Sequence, residues 1–303
     1  MKLIYCQMKS PNFGDELNKI LWKNLFPDFE DKFQEKGLLG VGTLEGIKIP
    51  RKLKEIVVLG TGGNEFPGNW IDSRFKIYFC RGPLTEKKWG CSGAGIADAA
   101  YLTKFTNLLP PPDCNKKFKF GYMPHHISDR HGDFEDVCNK IGFKYISPRQ
   151  DDVIKTINEI NSCEHLITEA LHGGIFADIL NIPWMPIVSG PQVYQFKWND
   201  WAESIKIPYI PASIDYHFIR GFTPIKLSIN KAKVIVARIA PVKNSWKHKK
   251  YSYHDYSIKD VVAQQLVDIS LKGRFFLSDE LVKEKIYSRL ADVVNKFRID
   301  FGV

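Results

Sequence analysis

Short apolar runs alternate with longer amphipathic stretches along most of the chain. The early runs at 2–7, 38–42, 55–60 and 75–80 are short and largely apolar, and they are predicted to be buried strands. Helical patterns begin after Asp15 and after Pro83. Such alternation predicts parallel sheets with helices on both faces, because a parallel strand returns through a crossover helix.

A break divides this pattern into two series. Residues 107–117 combine three prolines with charged side chains, which predicts an inter-domain linker. After the break, strands are predicted at 117–125, 143–148, 164–170 and 183–189, and helices at 133–142, 151–163, 172–181, 258–272 and 278–298. The simplest architecture is α/β with two Rossmann-like halves facing a cleft, where ligands bind at the carboxyl ends of the strands. We predict domains at 1–112 and 113–225, followed by a basic loop and helices at 226–303 that could pack back on the first domain.

Composition and charge narrow the classes of function. The 303 residues are 44% hydrophobic and 25% charged, as in ordinary globular proteins, so disorder is not expected. A net charge of +9 favours anionic partners, although solubility alone would explain it equally well. The six cysteines are scattered without a CxxC pair, a pattern that fits a reducing cytoplasm.

No stretch of the sequence predicts a signal peptide or a membrane span, so a cytoplasmic location is expected. The basic and aromatic residues at 243–253 leave open a peripheral contact with the inner face of the membrane. A solvated loop is the more usual role of such a run, and a nucleic-acid partner is not expected.

Three motifs follow strands of the first series. In NFGD, Asn12 and Asp15 are placed for a sugar hydroxyl, with Asp15 as a base or anchor or, alternatively, a plain N-cap. The GTGGN loop, with Gly62 and Asn64, lacks the spacing of a dinucleotide fingerprint and is predicted to line a substrate. Arg81 begins RGPLT, and its guanidinium suits a carboxylate or phosphate, or else a structural salt bridge.

Two motifs follow strands of the second series. We expect one of the paired residues His125 and His126 near the substrate and the other packed, without a metal. At His172, a strand runs directly into a helix that opens with Gly173 and Gly174. The start of that helix is a candidate anion site with a histidine acid beside it, or else a tightly packed helix start.

A last motif, KWNDW, follows the strand predicted at 183–189. Lys197 is a candidate contact for a phosphate. Trp198 and Trp201 are predicted to be either core residues or platforms for a sugar.

Taken in order, these motifs resemble the polysaccharide pyruvyltransferase family. NFGDELN, GTGGN, RGPLT, GIADAAYL, MPHHISD and ALHGGIFAD carry the resemblance, which covers about residues 1–205. It is strongest to the branch of succinoglycan-type exopolysaccharide ketal pyruvyltransferases. The resemblance implies a GT-B-like fold, phosphoenolpyruvate as co-substrate without a cofactor, and a cyclic ketal on a surface polysaccharide as product. It also implies a donor on the second domain and an acceptor facing the first.

One position departs from the family pattern. Many members carry Ser-Arg-Leu-His-Gly with an arginine that helps to hold the donor, and Ala170 stands at that position here. Another cation must compensate, and the candidates are Lys197, Arg81 and Arg149.

These arguments assign a role to each candidate residue. The catalytic residues are predicted to be His172 as acid, His125 as second choice for the acid, and Asp15 as base. The donor-binding residues are predicted to be Arg81, Gly173, Gly174, Lys197 and Arg149. The acceptor-binding residues are predicted to be Asn12, Gly62, Asn64 and His126.

Several alternatives stay open. The acceptor sugar could be lipid-linked, or acidic as Kdo is. A GT-B glycosyltransferase using a nucleotide sugar would share the fold and the anion site. A non-catalytic binding module would leave the ordered cleft motifs unexplained, and a nicotinamide oxidoreductase does not fit the glycine spacing.

Overall fold

Two parallel sheets form the framework of the protein, and the predicted α/β fold with two Rossmann-like halves is confirmed. The computed structural model describes residues 1–214, except 9, 69, 113–115, 131 and 191, and residues 256–303. The basic stretch at 243–253, for which a membrane contact was left open, lies outside the described residues.

The first sheet is built from four strands in sequential order. They are β1 (Lys2–Ile4), β2 (Lys36–Leu39), β3 (Glu55–Leu59) and β4 (Phe75–Phe79). Along β3, Val57 and Leu59 pack into one apolar cluster while Ile56 and Val58 pack into another. Because successive side chains of a strand point to opposite faces, both faces of this sheet are buried, which explains the continuous apolar run.

The helices of the first half lie between β1 and β2 and after β4. They are α1 (Phe13–Leu25), α2 (Phe29–Lys32) and α3 (Pro83–Trp89), with a 3-10 helix at Ala99–Phe105. In α1, Phe13, Leu17 and Leu21 recur at four-residue intervals and are all buried, so one face of this helix packs into the core.

The second sheet has five strands in the order β6-β5-β7-β8-β9. The strands are β5 (Phe118–Met123), β6 (Lys144–Tyr145), β7 (Cys163–Thr168), β8 (Trp184–Val188) and β9 (Ala212–Ser213). The helices are α4 (His126–Asp129), α5 (Phe134–Ile141), α6 (Val153–Asn161), α7 (Leu171–Ile179) and α8 (Gln195–Ser204). Asp152 caps α6 as predicted, since its side chain accepts a hydrogen bond from the amide of Lys155 at 2.9 Å.

The two halves share one hydrophobic core. The rings of Phe13 in α1 and Phe176 in α7 lie 5.1 Å apart within it. α1 also contacts α6, and α3 contacts α8. The first turns of α1 and α7, which both carry candidate site residues, are therefore fixed against each other.

Two helices close the chain, α9 (Tyr256–Lys272) and α10 (Glu280–Phe301). α9 packs on α5, whereas α10 reaches the first half, where it contacts β4 and the 3-10 helix. The predicted domain boundaries stay a prediction. Within the part of the chain that the structure describes, no helix combines the length and the apolar character needed to span a bilayer.

The structure differs from the sequence-based prediction mainly in short elements. The first strand ends at Ile4 and not at residue 7, and the strand predicted at 143–148 is reduced to the two residues of β6. α2, α4, the 3-10 helix and β9 were not predicted, because so few residues show no periodicity. Lys197 lies inside α8, which the sequence prediction had left without secondary structure.

Candidate active site

A cavity of about 310 Å³ lies between the two halves, at the carboxyl ends of both sheets. Its lining residues follow eight of the nine strands and include, in strand order, Asn12, Thr43, Asn64, Arg81, His125, Pro148, His172 and Tyr194. This is where ligands bind in open α/β sheets. The volume is at the lower end of the range for ligand pockets, roughly 300–1,000 Å³, and suits small substrates.

Most of the predicted site residues meet at this cavity. Those that line it are Asn12, Asp15, Asn64, Arg81, His125, His126, His172 and Lys197. Four predicted residues are absent from its lining, namely Gly62, Gly173, Gly174 and Arg149.

Packing explains the three glycines that lie away from the cavity. A Cβ atom on Gly173 would lie 2.6 Å from Oγ1 of Thr168, and one on Gly62 would lie 2.1 Å from Cζ of Arg81. A Cβ atom on Gly174 would lie 3.1 Å from the ring of Trp198. These glycines therefore allow close packing, and their positions give no support to the predicted contacts with substrate.

Arg149 is engaged elsewhere. Its Nε donates to Oδ2 of Asp129 at 2.5 Å, and the pair lies off the cavity wall. Of the three cations that could compensate for Ala170, Arg149 is thus the least accessible to a ligand in the cavity.

His172 occupies the second position of α7 and is held between two elements. Its Nε2 lies 3.7 Å from Oδ1 of Asp98, a fully buried carboxylate that precedes the 3-10 helix. On the other side, a Cβ atom on Gly14 would lie 1.9 Å from Nδ1 of His172. Only glycine leaves room for the imidazole there, so the sequence NFGD fixes the ring against α1.

Asp15 is the third residue of α1, and the N-cap alternative for it is wrong. Asn12 precedes the helix, and its Nδ2 donates to Oδ2 of Asp15 at 2.8 Å. Burial raises the pKa of the Asp15 carboxyl, whereas the hydrogen bond from Asn12 and then the charge of His172 act to lower it. A carboxylate with a raised pKa is suited to accept a proton near neutral pH.

Lys197 points a cation into the cavity from α8. Burial, and then the charge of Arg81, lowers the pKa of its ammonium to about 8. The ammonium lies 5.6 Å from the centre of the Tyr194 ring, and it forms no hydrogen bond or salt bridge with any residue that the structure describes. Because an unpaired buried cation is costly, this arrangement favours an anionic ligand.

The neighbouring tryptophans in the same helix belong to the core. Trp198 and Trp201 are both fully buried, with ring centres 5.8 Å apart. Of the two alternatives from the sequence, the core interpretation is confirmed. Their packing anchors α8 and so fixes the backbone that carries Lys197.

His125 and His126 line the same cavity, and their rings contact each other in a tilted arrangement, with ring centres 4.2 Å apart. Burial and then the charge of Lys197 hold the pKa of His125 well below its usual range. The same two causes lower the pKa of His126 to about 4. Both imidazoles are neutral at pH 7, and a bound anion would shift both pKa values upward.

Arg81 joins the two halves of the protein. Its Nε donates to Oδ2 of the fully buried Asp200 in α8 at 3.1 Å, which is the structural salt bridge that the sequence left open. Its other nitrogens donate to Oγ1 of Thr43 at 2.9 Å and to the carbonyl oxygen of Gly63 at 3.1 Å. The amide of Thr85 donates to Oδ1 of Asp200 at 3.0 Å. Arg81 therefore adds positive charge to the cavity while most of its donors are already occupied.

Glu169 links the ends of three strands through hydrogen bonds. It was not among the site residues predicted from the sequence. Its buried carboxylate accepts hydrogen bonds from the amide of His125 at 3.0 Å and from the amide of Ser189 at 3.1 Å. The hydroxyl of Ser189 donates to it as well. These residues follow β7, β5 and β8, so one carboxylate fixes the cavity wall on the second sheet.

Asp98 was also missed, although it lies inside the GIADAAYL motif. A carboxylate flanked by alanines and isoleucine must be buried, and a buried carboxylate needs partners. Its Oδ1 accepts from the amide of Ala100 at 3.0 Å, while Oδ2 has no hydrogen-bond partner among the described residues. The burial of Asp98 could have been predicted from the sequence, but its proximity to His172 could not.

The fold and the cavity together define a two-lobed α/β protein with a candidate anion site beside a candidate acid and a candidate base. Comparison with known proteins gives its class. The chain belongs to the polysaccharide pyruvyl transferase family, whose model matches residues 12–191, more than half of the chain. It is similar to the succinoglycan biosynthesis protein ExoV of Rhizobium meliloti (strain 1021), with 33% identity over 219 residues.

That alignment covers 71% of this chain and 68% of the rhizobial protein. The predicted family and branch are therefore confirmed, and the chain is a transferase that moves a pyruvyl group onto a polysaccharide. No solved structure matches the chain significantly, and the comparison with GT-B enzymes stays a prediction.

Proposed function

We propose that the protein transfers pyruvate from phosphoenolpyruvate to two hydroxyls of one sugar in a bacterial surface polysaccharide. The product is a cyclic ketal, and phosphate is released. The observation that carries the proposal is the unpaired, partly buried ammonium of Lys197, which shares a cavity with His172 and Asp15. Family membership supports pyruvyl transfer and disfavours the nucleotide-sugar alternative.

The donor has two anionic groups, a carboxylate and a phosphate. The cavity offers two kinds of group that would bind them, a cation and the first amides of a helix. Lys197 supplies charge, which stands in for the arginine that Ala170 replaces. The first amides of α7 have no partner within that helix, and Leu171 and His172 of its first turn line the cavity. Together these groups would hold a small doubly charged molecule beside His172.

In the proposed reaction, His172 donates a proton to the methylene carbon of phosphoenolpyruvate, and positive charge develops on the central carbon. A sugar hydroxyl attacks that carbon and gives its proton to Asp15. The carbon–oxygen bond to phosphate then breaks, and the bonding electrons leave with phosphate. A second hydroxyl of the same sugar closes the ring, and its proton is taken up by phosphate or solvent.

Each residue in this scheme has a positioning partner in the structure. Asp98 lies 3.7 Å from His172 and would stabilise the imidazolium that the acid role requires. Asn12 orients the carboxylate of Asp15 through a 2.8 Å hydrogen bond. His125 keeps its place as an alternative acid, although its lowered pKa requires a bound anion before it can carry a proton.

The proposal is tested by incubating the full chain with phosphoenolpyruvate and oligosaccharide repeats of succinoglycan from which pyruvate has been removed. We expect phosphate release in step with a product whose mass rises by one pyruvate less one water. The same mixture with a nucleotide sugar in place of phosphoenolpyruvate is the control, and no nucleotide should be released. Nucleotide release, or phosphate release without a mass gain, contradicts the proposal.

A further inference from the structure

Two aromatic rings at the cavity are exposed, although large apolar side chains are usually buried. Phe66 is 58% exposed and Tyr194 is 47% exposed, and both line the cavity. Phe66 comes from the loop after β3 in the first half, whereas Tyr194 precedes α8 in the second. Each half thus contributes one accessible ring to the same cavity.

The loop that carries Phe66 is held firmly in spite of its exposure. Nζ of Lys88 donates to the carbonyl oxygens of Asn64 and Phe66 at 2.7 Å each. The same ammonium forms a salt bridge with Glu45 at 2.6 Å, and the amide of Phe66 donates to Oδ1 of Asn64 at 2.9 Å. A fixed backbone that presents a free ring loses little entropy on binding, as expected of a preformed binding surface.

The second ring is held by different means. Tyr194 occupies the N-cap position of α8, whose tryptophans are buried in the core. Its ring centre lies 5.6 Å from Nζ of Lys197. A ligand that stacks on Tyr194 would therefore lie next to the cation proposed to hold the donor.

We infer that Phe66 and Tyr194 form the acceptor subsite, where the pyranose ring of an uncharged sugar stacks on the two aromatic rings. This inference rests on the proposed function. A pyranose carries C–H groups on its faces and hydroxyls at its edge, so its face packs on an aromatic ring while its edge needs hydrogen-bonding groups. Asn12, which lines the same cavity, supplies such groups, whereas both side-chain polar atoms of Asn64 already hold the loop.

Negative charge in the cavity wall disfavours an acidic acceptor. Glu45 and Glu65 both line the cavity on the side of Phe66. Glu45 is neutralised by Lys88, whereas Glu65 is exposed and forms no salt bridge with any other residue in the described ranges. With the donor bound at Lys197, a carboxylate on the sugar would meet the negative charges of Glu65 and of the donor, so a neutral hexose is favoured over an acidic sugar such as Kdo.

Saturation-transfer NMR with methyl β-D-glucopyranoside, methyl β-D-galactopyranoside and the methyl glycoside of Kdo tests the inference without requiring turnover. We expect at least one neutral glycoside to bind the full chain more tightly than the Kdo glycoside. Phe66→Ala and Tyr194→Ala should each weaken that binding about three- to tenfold, whereas Tyr194→Phe should preserve it. Ile210→Ala is the matched control, because Ile210 is 54% exposed and does not line the cavity.

Equal binding by the two alanine variants and the wild type would overturn the inference, as would failure of the wild type to bind any neutral glycoside. Tighter binding of the Kdo glycoside would overturn the preference for an uncharged sugar. The outcome is separable from the proposed function, which is judged by phosphate release and product mass. Circular dichroism and thermal unfolding of each variant check that its fold is intact.

Discussion

The charge of Lys197 is set by opposing influences within the cavity. Burial and the neighbouring Arg81 favour the neutral amine, whereas Asp15 and other carboxylates favour the ammonium, and the resulting pKa is about 8. A bound phosphate or carboxylate would stabilise the ammonium further. Donor binding and the protonation of Lys197 are therefore linked.

This linkage predicts a pH dependence for donor binding. Below pH 8 Lys197 is already protonated, so the KM for phosphoenolpyruvate should change little through this group. Above pH 8 binding must also take up a proton, and the KM should rise by up to about tenfold per pH unit. The measurement is KM for phosphoenolpyruvate between pH 7 and 10 at constant ionic strength.

Lys197→Arg is the matched variant, because a guanidinium stays charged throughout that range. Its KM should be nearly independent of pH, even if it is higher overall. The same rise in KM above pH 8 in the arginine variant would show that another group is responsible.

His172 is predicted to be the acid that protonates the donor. His172→Ala should lower kcat about a hundredfold or more, which is the usual contribution of a positioned acid. Asp98→Asn should lower kcat less and alter its pH profile, because Asp98 acts through the imidazole. Turnover of His172→Ala close to that of the wild type would remove His172 from this role and leave His125 as the candidate.

Much of the site could be predicted from residue types and their positions after strands. The remaining site residues depend on tertiary contacts that the sequence does not reveal. Asp15, His172 and Lys197 were found because polar residues after apolar strands converge at one edge of a sheet. The sequence could not decide between the two roles left open for Arg81, because its salt-bridge partner Asp200 is 119 positions away. Phe66 and Tyr194 were missed, since nothing in a single sequence distinguishes an exposed aromatic residue from a buried one.

At the scale of elements, the contact between α1 and α7 determines where His172 lies. Alanine normally stabilises a helix relative to glycine by roughly 1 kcal/mol, so Gly14→Ala would be neutral or favourable in an isolated helix. Here the new Cβ atom would lie 1.9 Å from Nδ1 of His172, and the imidazole must move. We expect kcat to fall as much as about a hundredfold, because small displacements of a reacting group have effects of that size.

Asn24→Ala serves as the control for Gly14→Ala, since Asn24 is an exposed residue of the same helix. Its kcat should match that of the wild type. If Gly14→Ala also retained full activity, the contact between the two helices would not position His172.

Long elements were predictable because their periodicity spans several turns or a whole strand. α6, α7 and α10 each lie close to the predicted range, and α1 begins within one turn of its predicted start. The short α4 begins at His126 and was not predicted, because four residues give no repeat. That omission matters for the site, since Nδ1 of His125 accepts a hydrogen bond from the amide of Ile127 at 3.3 Å and so caps α4.

At the scale of the whole molecule, the C-terminal helix α10 stabilises the half from which it is most distant in sequence. Phe297 is fully buried, and its ring lies 4.4 Å from that of Phe26 and 5.5 Å from that of Tyr78. Composition and periodicity predicted the helix itself. Packing on the first half was one possibility that the sequence left open, because periodicity shows that one face of a helix is buried but not what covers it.

Phe297→Ala should lower the free energy of unfolding by about 3–5 kcal/mol, as is typical when a buried phenylalanine is truncated. The neighbouring Ile299 is 82% exposed, and Ile299→Ala should change stability by less than about 0.5 kcal/mol. Chemical denaturation of both variants measures the difference. Similar small losses in the two variants would mean that α10 does not stabilise the first half.

The central claim is that the cavity between the halves holds phosphoenolpyruvate through the cation of Lys197. Calorimetric titration of the wild type and of Lys197→Met with phosphoenolpyruvate at pH 7 tests it most directly. We expect saturable binding to the wild type and affinity at least about tenfold weaker in the variant, because a charged contact is lost. Absence of binding to the wild type, or equal affinity in the two proteins, would contradict it.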